Sequence, residues 1–203
     1  MRQAYSSVSG PFFDGTPSDL LTLNSESIHL NKEHGSIQVD DDWLTTQDGA
    51  SLISSSPISV PTTRLISLVI RLSAARTGQP NRGDIYVGNS SAAVDRLFTV
   101  FSDEIAYFRV NKGGAYLGTG IPMAADQPLV LTANISPDRQ DIWLNETLVS
   151  SSDSFVEPNL GPLTLSLYGV DYAFVGIWSG ETIPSDPTAV IAAVMQEFGI
   201  PTN

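Results

Sequence analysis

Residues 128–183 decide the fold of this chain, and they read PLVLTANISPDRQDIWLNETLVSSSDSFVEPNLGPLTLSLYGVDYAFVGIWSGETI. In 129–135 every second residue is apolar, and 163–167 alternates in the same way. A period of two is typical of half-buried strands, so the stretch predicts an antiparallel sheet. Its predicted strands are 129–135, 141–148, 163–168 and 172–178.

The strongest strand candidate outside this stretch is 63–73, which reads TRLISLVIRLS. Ile66 and Leu68 fall on one face of that strand, and Leu65 and Val69 fall on the other. A strand that is apolar on both faces is covered on both sides, so we expect it to be central in its sheet. Further strands are predicted at 26–30, 36–39, 50–53, 84–87, 96–101 and 105–110, with a turn at 78–83.

The end of the chain predicts one short α-helix. Ser185 or Asp186 can cap its N-terminus, and Pro187 suits the first helical position, where a missing N–H costs nothing. Gly199 can end the helix in the left-handed conformation, and Pro201 prevents its continuation. An apolar stripe indicates that the helix packs on a sheet. The stripe consists of Val190, Ile191, Val194, Met195 and Phe198.

The composition excludes several classes of function. The chain has 203 residues, a hydrophobic content of 41% and a formal net charge of −12. That apolar content indicates a sizeable core rather than a disordered chain. Nucleic acids and anionic membranes bind clustered Lys and Arg, so we expect neither as a partner. The chain has no cysteine, which excludes disulfides and thiolate catalysis.

The first 24 residues contain closely spaced turn pairs and predict an arm or an irregular first strand, followed by one domain at 25–203. Phe12 and Phe13 would be exposed on such an arm unless they dock on a partner. The segment FFDGTPSD at 12–19 resembles a YFDG-TPD motif that recurs in tail proteins of bacteriophages. The sequence shows no signal-peptide pattern and no apolar run of transmembrane length.

The order of strands and closing helix resembles the concanavalin A-like lectin/glucanase superfamily, in its laminin G-like form. One departure is the hairpin turn Asn145-Glu146, where the family usually has Asn-Gly and where Glu disfavours a positive φ. The resemblance implies an all-β fold, a two-sheet antiparallel jelly-roll sandwich. Members bind glycans, cleave polysaccharides or serve as structural and adhesive modules. The matching segments are ISLVIRLS (66–73), DIYVGN (84–89), DIWLNETLV (141–149), GPLTLSLYG (161–169) and FVGIW (174–178).

The cleaving activities of this superfamily lack their sequence patterns here. Glycoside hydrolysis needs two carboxylates on one face, and the chain has no E-x-D-x(1,2)-E. Asp103 and Glu104 are adjacent and therefore point to opposite faces of a strand. The lyase patterns R-x-E-x-R and Q-x-H are also missing, and His29 and His34 are interpreted as structural. We therefore do not expect an enzyme.

A binding role requires only an aromatic platform and a few polar groups. Tyr107 and Arg109 share one face of the strand 105–110, and other aromatic residues lie at strand or turn positions. The alternative is that these side chains simply fill the surfaces of sheets. The candidate glycan or partner surface comprises Tyr86, Tyr107, Arg109, Tyr116 and Trp43.

The densest charge lies in Asp40-Asp41-Asp42-Trp43. Asp40 and Asp42 are candidate ligands for Ca²⁺, which binds several carboxylate and carbonyl oxygens. The spacing of an EF-hand is absent, and the alternative is a solvated turn with Trp43 packing back on the fold. No other cofactor is expected.

Together these features favour a virion-associated structural or adhesion module, assembled in the host cytoplasm and contacting host glycans. Its expected partners are other virion subunits or further copies of itself. The alternative is a stand-alone carbohydrate-binding, lectin-like domain with an extracellular location. A polysaccharide-cleaving enzyme with a divergent site is the third hypothesis.

Overall fold

A computed structural model describes the β-domain of the chain. The described residues are 21–24, 26–28, 30–40, 43–45, 49–72, 81–88, 96–103, 105–109, 117–118, 126–153 and 158–202. They form two mostly antiparallel sheets and one C-terminal α-helix, which confirms the predicted all-β jelly-roll sandwich.

Sixteen strands, a 3₁₀ turn and a helix follow one another along the described chain. They are β1 (Leu21–Leu23), β2 (Glu26–Ser27), β3 (Leu30–Gly35), β4 (Gln38–Asp40), β5 (Trp43–Thr45), β6 (Ala50–Val60), β7 (Arg64–Leu72), β8 (Asn81–Val87), β9 (Arg96–Asp103), β10 (Ile105–Arg109), β11 (Leu117–Gly118), β12 (Leu129–Ile135), β13 (Gln140–Leu144), β14 (Thr147–Ser152), β15 (Asn159–Tyr168), β16 (Val170–Ser179), the 3₁₀ turn Gly180–Thr182 and α1 (Pro187–Glu197).

The two sheets have nine and seven strands among the described residues. In the nine-stranded sheet the order is β14-β13-β12-β7-β16-β1-β2, with β5 also paired to β16 and β4 to β5. In the seven-stranded sheet the order is β11-β10-β9-β8-β15-β6-β3. The strand β7 lies in the middle of the nine-stranded path, as the two-faced apolar pattern of 63–73 predicts.

The main core lies between the sheets. Alternate residues of β7 and β12 face alternate residues of β15 and β8 there, and all of them are buried. Leu68 and Leu131 on one side, with Leu165 and Ile85 on the other, are at most 1% exposed. This alternation is the physical basis on which the sequence pattern predicted half-buried strands.

A second core covers the opposite face of the nine-stranded sheet. Leu65, Val69 and Phe174 are buried there beneath α1, which contributes Ile191 and Val194 to the same cluster. The helix contacts β12 and β7. Each residue of β16 is buried, because this strand faces the main core on one side and the helix cluster on the other.

The ends of α1 follow the sequence signals. Of the two candidate caps, Asp186 takes the role, and its side chain accepts a hydrogen bond from the Thr188 N–H at 2.9 Å. Gly199 has a φ of 63°, as expected of a left-handed stop. At 11 residues α1 is short, and no helix in the described ranges is long and apolar enough to cross a membrane.

Two strands are longer than predicted because proline does not end them. Pro57 in β6 and Pro162 in β15 are paired with each other, beside a shift of register between Pro162 and Thr164. A bulge tolerates prolines that cannot donate to a regular ladder, so both strands continue through it. Gly161-Pro162 is therefore part of β15 and not a turn.

Two further boundaries differ from the sequence predictions. The predicted strand 141–148 is divided into β13 and β14 at Asn145-Glu146, which the sequence also indicated as a hairpin turn and where Asn145 has a φ of 51°. The predicted turn 78–83 already contains the first three residues of β8. The range 1–24, predicted as an arm or an irregular first strand, includes β1, which pairs in parallel with β16. Residues 1–20 lie outside the described residues, and their role as an arm stays a prediction.

The largest fully buried polar side chain is Arg64, at the start of β7. Its Nη1 donates to Asn159 Oδ1 at 2.8 Å and to the Pro61 carbonyl at 3.4 Å, whereas Nε and Nη2 have no hydrogen-bond partner among the described residues. Burial lowers the pKa of this guanidinium to about 10. A cation whose pKa falls on folding destabilises the folded state at neutral pH.

We expect Arg64→Met to raise the free energy of unfolding by about 1 kcal/mol at neutral pH, because it removes a poorly compensated buried charge. Chemical denaturation measures this. Arg139→Met is the control, since Arg139 is exposed and its pair with Asp141 contributes little. A loss of stability in the Arg64 variant beyond about 1 kcal/mol would contradict the expectation.

The cap of α1 makes folding stability depend on pH. The Thr188 hydroxyl and the Thr188 backbone N–H both donate hydrogen bonds to the Asp186 carboxylate. These bonds lower the pKa of Asp186, and the hydroxyl has the larger effect. A carboxyl group whose pKa is lower in the folded state stabilises that state at every pH above the pKa of the unfolded chain. This stabilisation is lost as the pH falls through the folded-state pKa.

Asp186→Ala is therefore expected to be less stable than the wild type at about pH 7, with a difference that shrinks toward about pH 2. Urea unfolding across this range measures the difference. Asp186→Ser is the control, because serine caps a helix without titrating. A difference that does not change with pH would show that the carboxylate charge plays no part.

Candidate functional site

The two sheets differ in how their faces are covered. Both faces of the nine-stranded sheet carry buried clusters, one against the other sheet and one against α1. In the seven-stranded sheet, Leu163 and Leu165 of β15 face the main core. The opposite face, here called the outer face, carries Thr164, Ser166 and Tyr168 of the same strand. The last two of these are half-buried.

Strand register aligns polar and aromatic positions in rows across the outer face. Neighbouring strands are about 4.8 Å apart, so the five steps from β3 to β10 span about 24 Å. The middle row is His34, Ser51, Ser166, Asp84, Thr99 and Arg109. The row on one side is Tyr168, Arg82, Phe101 and Tyr107. The row on the other side is Asn31, Ile53, Thr164, Tyr86 and Arg96.

Three of the predicted ligand residues fall on these rows. Tyr86 of β8 is half-buried and pairs with Thr164 of β15. Tyr107 and Arg109 of β10 occupy outer-face positions through their pairing with β9. The backbone register therefore brings these three positions to one face, as a binding surface requires.

Four side chains from β3, β6 and β15 form a cluster at the β3 end of the outer face. Ser51 Oγ donates to Glu33 Oε2 at 2.7 Å and lies 2.7 Å from His34 Nδ1. The other ring nitrogen, His34 Nε2, lies 3.5 Å from the Tyr168 hydroxyl. His34 was interpreted as structural from the sequence, and the structure adds it to the outer face together with Ser51 and Tyr168.

This cluster does not have the geometry of a serine hydrolase. In such a triad the carboxylate accepts a hydrogen bond from the histidine, and the histidine takes the proton of the serine. Here the Glu33 carboxylate accepts a hydrogen bond from the serine instead, and Ser51 is only 4% exposed. The hydrogen bonds position the imidazole and do not activate a nucleophile.

Trp43 belongs to a different surface. It lies on β5 of the nine-stranded sheet, where the Arg71 guanidinium carbon is 4.5 Å from the centroid of its ring. Arg71 Nε also donates to Asp171 Oδ2 at 3.0 Å. Trp43 is half-buried against the helix cluster, which is the alternative that the sequence left open. It therefore does not join the tyrosines of the outer face.

The remaining predicted site residues are only partly described. Asp40 ends β4, and its backbone pairs with Trp43. Asp42, Tyr116, Phe12 and Phe13 lie outside the described residues. Within those ranges no group of three or more His, Asp or Glu side chains could hold a metal ion. Calcium binding through Asp40 and Asp42 stays a prediction.

Comparison with known proteins places the fold. No protein-family model and no curated protein sequence matches this chain. Among solved structures, carbohydrate-binding module CBM66 from Bacillus subtilis is similar at 15% identity and a TM-score of 0.50, over 73% of this chain and 94% of its own. The carbohydrate recognition domain of Emp46p is similar at 10% identity and a TM-score of 0.54, over 88% and 99%.

An enzyme has the same fold. The β-glucanase of Bacillus licheniformis is similar at 8% identity and a TM-score of 0.54, over 85% of this chain and 97% of its own. Identities this low establish the shared jelly-roll architecture and no activity.

The position of Tyr168 depends on Gly49. Gly49 has a φ of 86°, and a Cβ atom there would overlap the Tyr168 ring. Gly180 has a φ of 61°, but nothing lies within 4 Å of its Cβ position. Comparing the two glycines therefore separates backbone strain from the ring contact.

Gly180→Ala is expected to cost about 1 kcal/mol of unfolding free energy, and Gly49→Ala about 2–3 kcal/mol. The larger loss follows because Tyr168 must move in addition to the backbone strain. Urea denaturation measures both variants. Equal losses would show that the ring is not held against Gly49.

Proposed function

We propose that this chain is a carbohydrate-binding, lectin-like domain that holds a glycan along the outer face of the seven-stranded sheet. The observation that carries the proposal is the asymmetry of the two sheets. Buried clusters cover both faces of the nine-stranded sheet at its central strands, whereas the described side chains of the outer face include the exposed His34 and the half-buried Tyr86, Ser166 and Tyr168. Sugars bind to surfaces that combine aromatic rings with a few hydrogen-bonding groups.

The comparisons support this proposal at the level of fold. Two of the similar structures are named as carbohydrate-binding domains, and the present chain spans nearly their whole length. The β-glucanase has the same architecture, but the paired-carboxylate pattern expected of such an enzyme is missing here. Binding without cleavage is therefore the function that we propose.

A virion-associated role stays a prediction from the sequence. It was based on the resemblance of the fold together with the motif at 12–19, and residues 1–20 lie outside the described residues. None of the similar structures reported above is a phage protein. A glycan-binding domain is compatible with that role but does not require it.

A glycan microarray with the purified chain tests the proposal, with and without Ca²⁺. We expect binding to at least one oligosaccharide and a loss of about tenfold in affinity for Tyr86→Ala, since aromatic residues dominate binding energy. Leu148→Ala is the control, because Leu148 is exposed on β14 of the other sheet. Folded protein that binds no glycan on the array would refute the proposal.

A further inference from the structure

The cluster of Glu33, Ser51, His34 and Tyr168 contains a directional chain of hydrogen bonds. A serine hydroxyl carries one hydrogen, and a carboxylate can only accept. Ser51 Oγ donates that hydrogen to Glu33 Oε2 at 2.7 Å. The contact of 2.7 Å between Ser51 Oγ and His34 Nδ1 must therefore be made by a hydrogen on the imidazole.

This direction fixes the tautomer of His34. With the proton on Nδ1, the neutral ring carries its acceptor lone pair on Nε2. The negative charge of Glu33 polarises Ser51, and bonds linked in series strengthen one another. Glu33 and Ser51 therefore act as positioning residues that make His34 Nε2 an acceptor.

The acceptor lies at an exposed place on the outer face. His34 is exposed, and its Nε2 is 3.5 Å from the Tyr168 hydroxyl, longer than a good hydrogen bond. An oxygen atom can lie about 2.8 Å from both atoms at that separation. Such an oxygen can donate its hydrogen to His34 Nε2 while it accepts from Tyr168.

We propose that the relay from Glu33 through Ser51 holds His34 in the Nδ1–H form, so that Nε2 and the Tyr168 hydroxyl together recognise one sugar hydroxyl. The proposal rests on the proposed function and names a specificity-determining pair within it. A ligand group that cannot donate, such as an ether oxygen or a methoxyl group, is disfavoured at this place because Nε2 then has no hydrogen to accept.

The tautomer can be tested without any glycan. Two-bond ¹H–¹⁵N correlation spectra at about pH 8.5, where an ordinary histidine is neutral, distinguish protonated from unprotonated ring nitrogens. The chain has two histidines, so His29→Gln assigns the signals. We expect the proton of His34 on Nδ1. A wild-type proton on Nε2 would overturn the proposal.

Glu33→Leu tests the relay itself. Glu33 is exposed, so the variant is expected to fold, and its Ser51 hydroxyl becomes free to donate to His34 Nδ1. The proton of His34 should then move to Nε2 in a large part of the molecules. An unchanged tautomer would show that Glu33 does not set it.

Recognition is tested with the strongest oligosaccharide from the array and with its singly methoxylated derivatives. We expect His34→Phe to bind the oligosaccharide about fivefold more weakly than the wild type, and Leu148→Ala to bind it as the wild type does. For one of the methoxylated derivatives, His34→Phe and the wild type should bind with equal affinity. Unchanged affinity of His34→Phe for an oligosaccharide that the wild type binds would overturn the recognition role alone. If the folded protein binds no glycan on the array, the proposed function and the recognition role are both refuted, whereas the tautomer of His34 is tested independently of any glycan.

Discussion

Burial of β7 on both of its faces is the constraint on which the rest of the structure depends. Its inward residues, such as Leu68, pack against the seven-stranded sheet, and its outward residues, such as Val69, lie under α1. Both sets are fully buried, so the strand is stable only when a sheet covers one side and a helix covers the other. The backbone polar groups are satisfied by β12 and β16. The helix α1 therefore completes the second of the two cores.

The placement of α1 decides which surface remains for function. The helix α1 covers central strands of the nine-stranded sheet, whereas His34, Tyr86, Ser166 and Tyr168 on the outer face of the seven-stranded sheet are exposed or half-buried. The positions of the outer face combine hydroxyl and aromatic residues with the charged residues Arg82, Asp84, Arg96 and Arg109. Uncharged hydroxyl and aromatic groups match the chemistry of sugars, which offer many hydrogen-bonding oxygens and apolar C–H faces. Fold and proposed function thus follow from the same asymmetry between the sheets.

The sequence predicted the elements whose signals are local and missed those that depend on distant partners. The strand β12 has its predicted bounds, and α1 has a predicted cap and stop, because alternation, Asp186 and Gly199 act over a few residues. The pairing of Pro57 with Pro162 could not be anticipated, since each proline by itself signals a strand end. The contact of His34 with Tyr168 joins residues 134 positions apart, and no local pattern marks it. Gly49, beside the first residue of β6, makes room for the Tyr168 ring, and no local pattern indicates this contact.

The pairing of β1 with β16 has a consequence for how the protein is made. Asn24 at the end of β1 accepts hydrogen bonds from the Ser179 N–H at 2.8 Å and from Thr182 Oγ1 at 2.6 Å, so groups 155 and 158 residues apart meet there. A ribosome delivers the chain from its N-terminus, and β1 emerges long before β16 exists. Contacts this distant in sequence form late, because the entropy of closing the loop must be overcome first. The segment Leu21–Leu23 can pair with β2 as soon as both have emerged, but its parallel pairing with β16 must wait until residues 175–177 have been made.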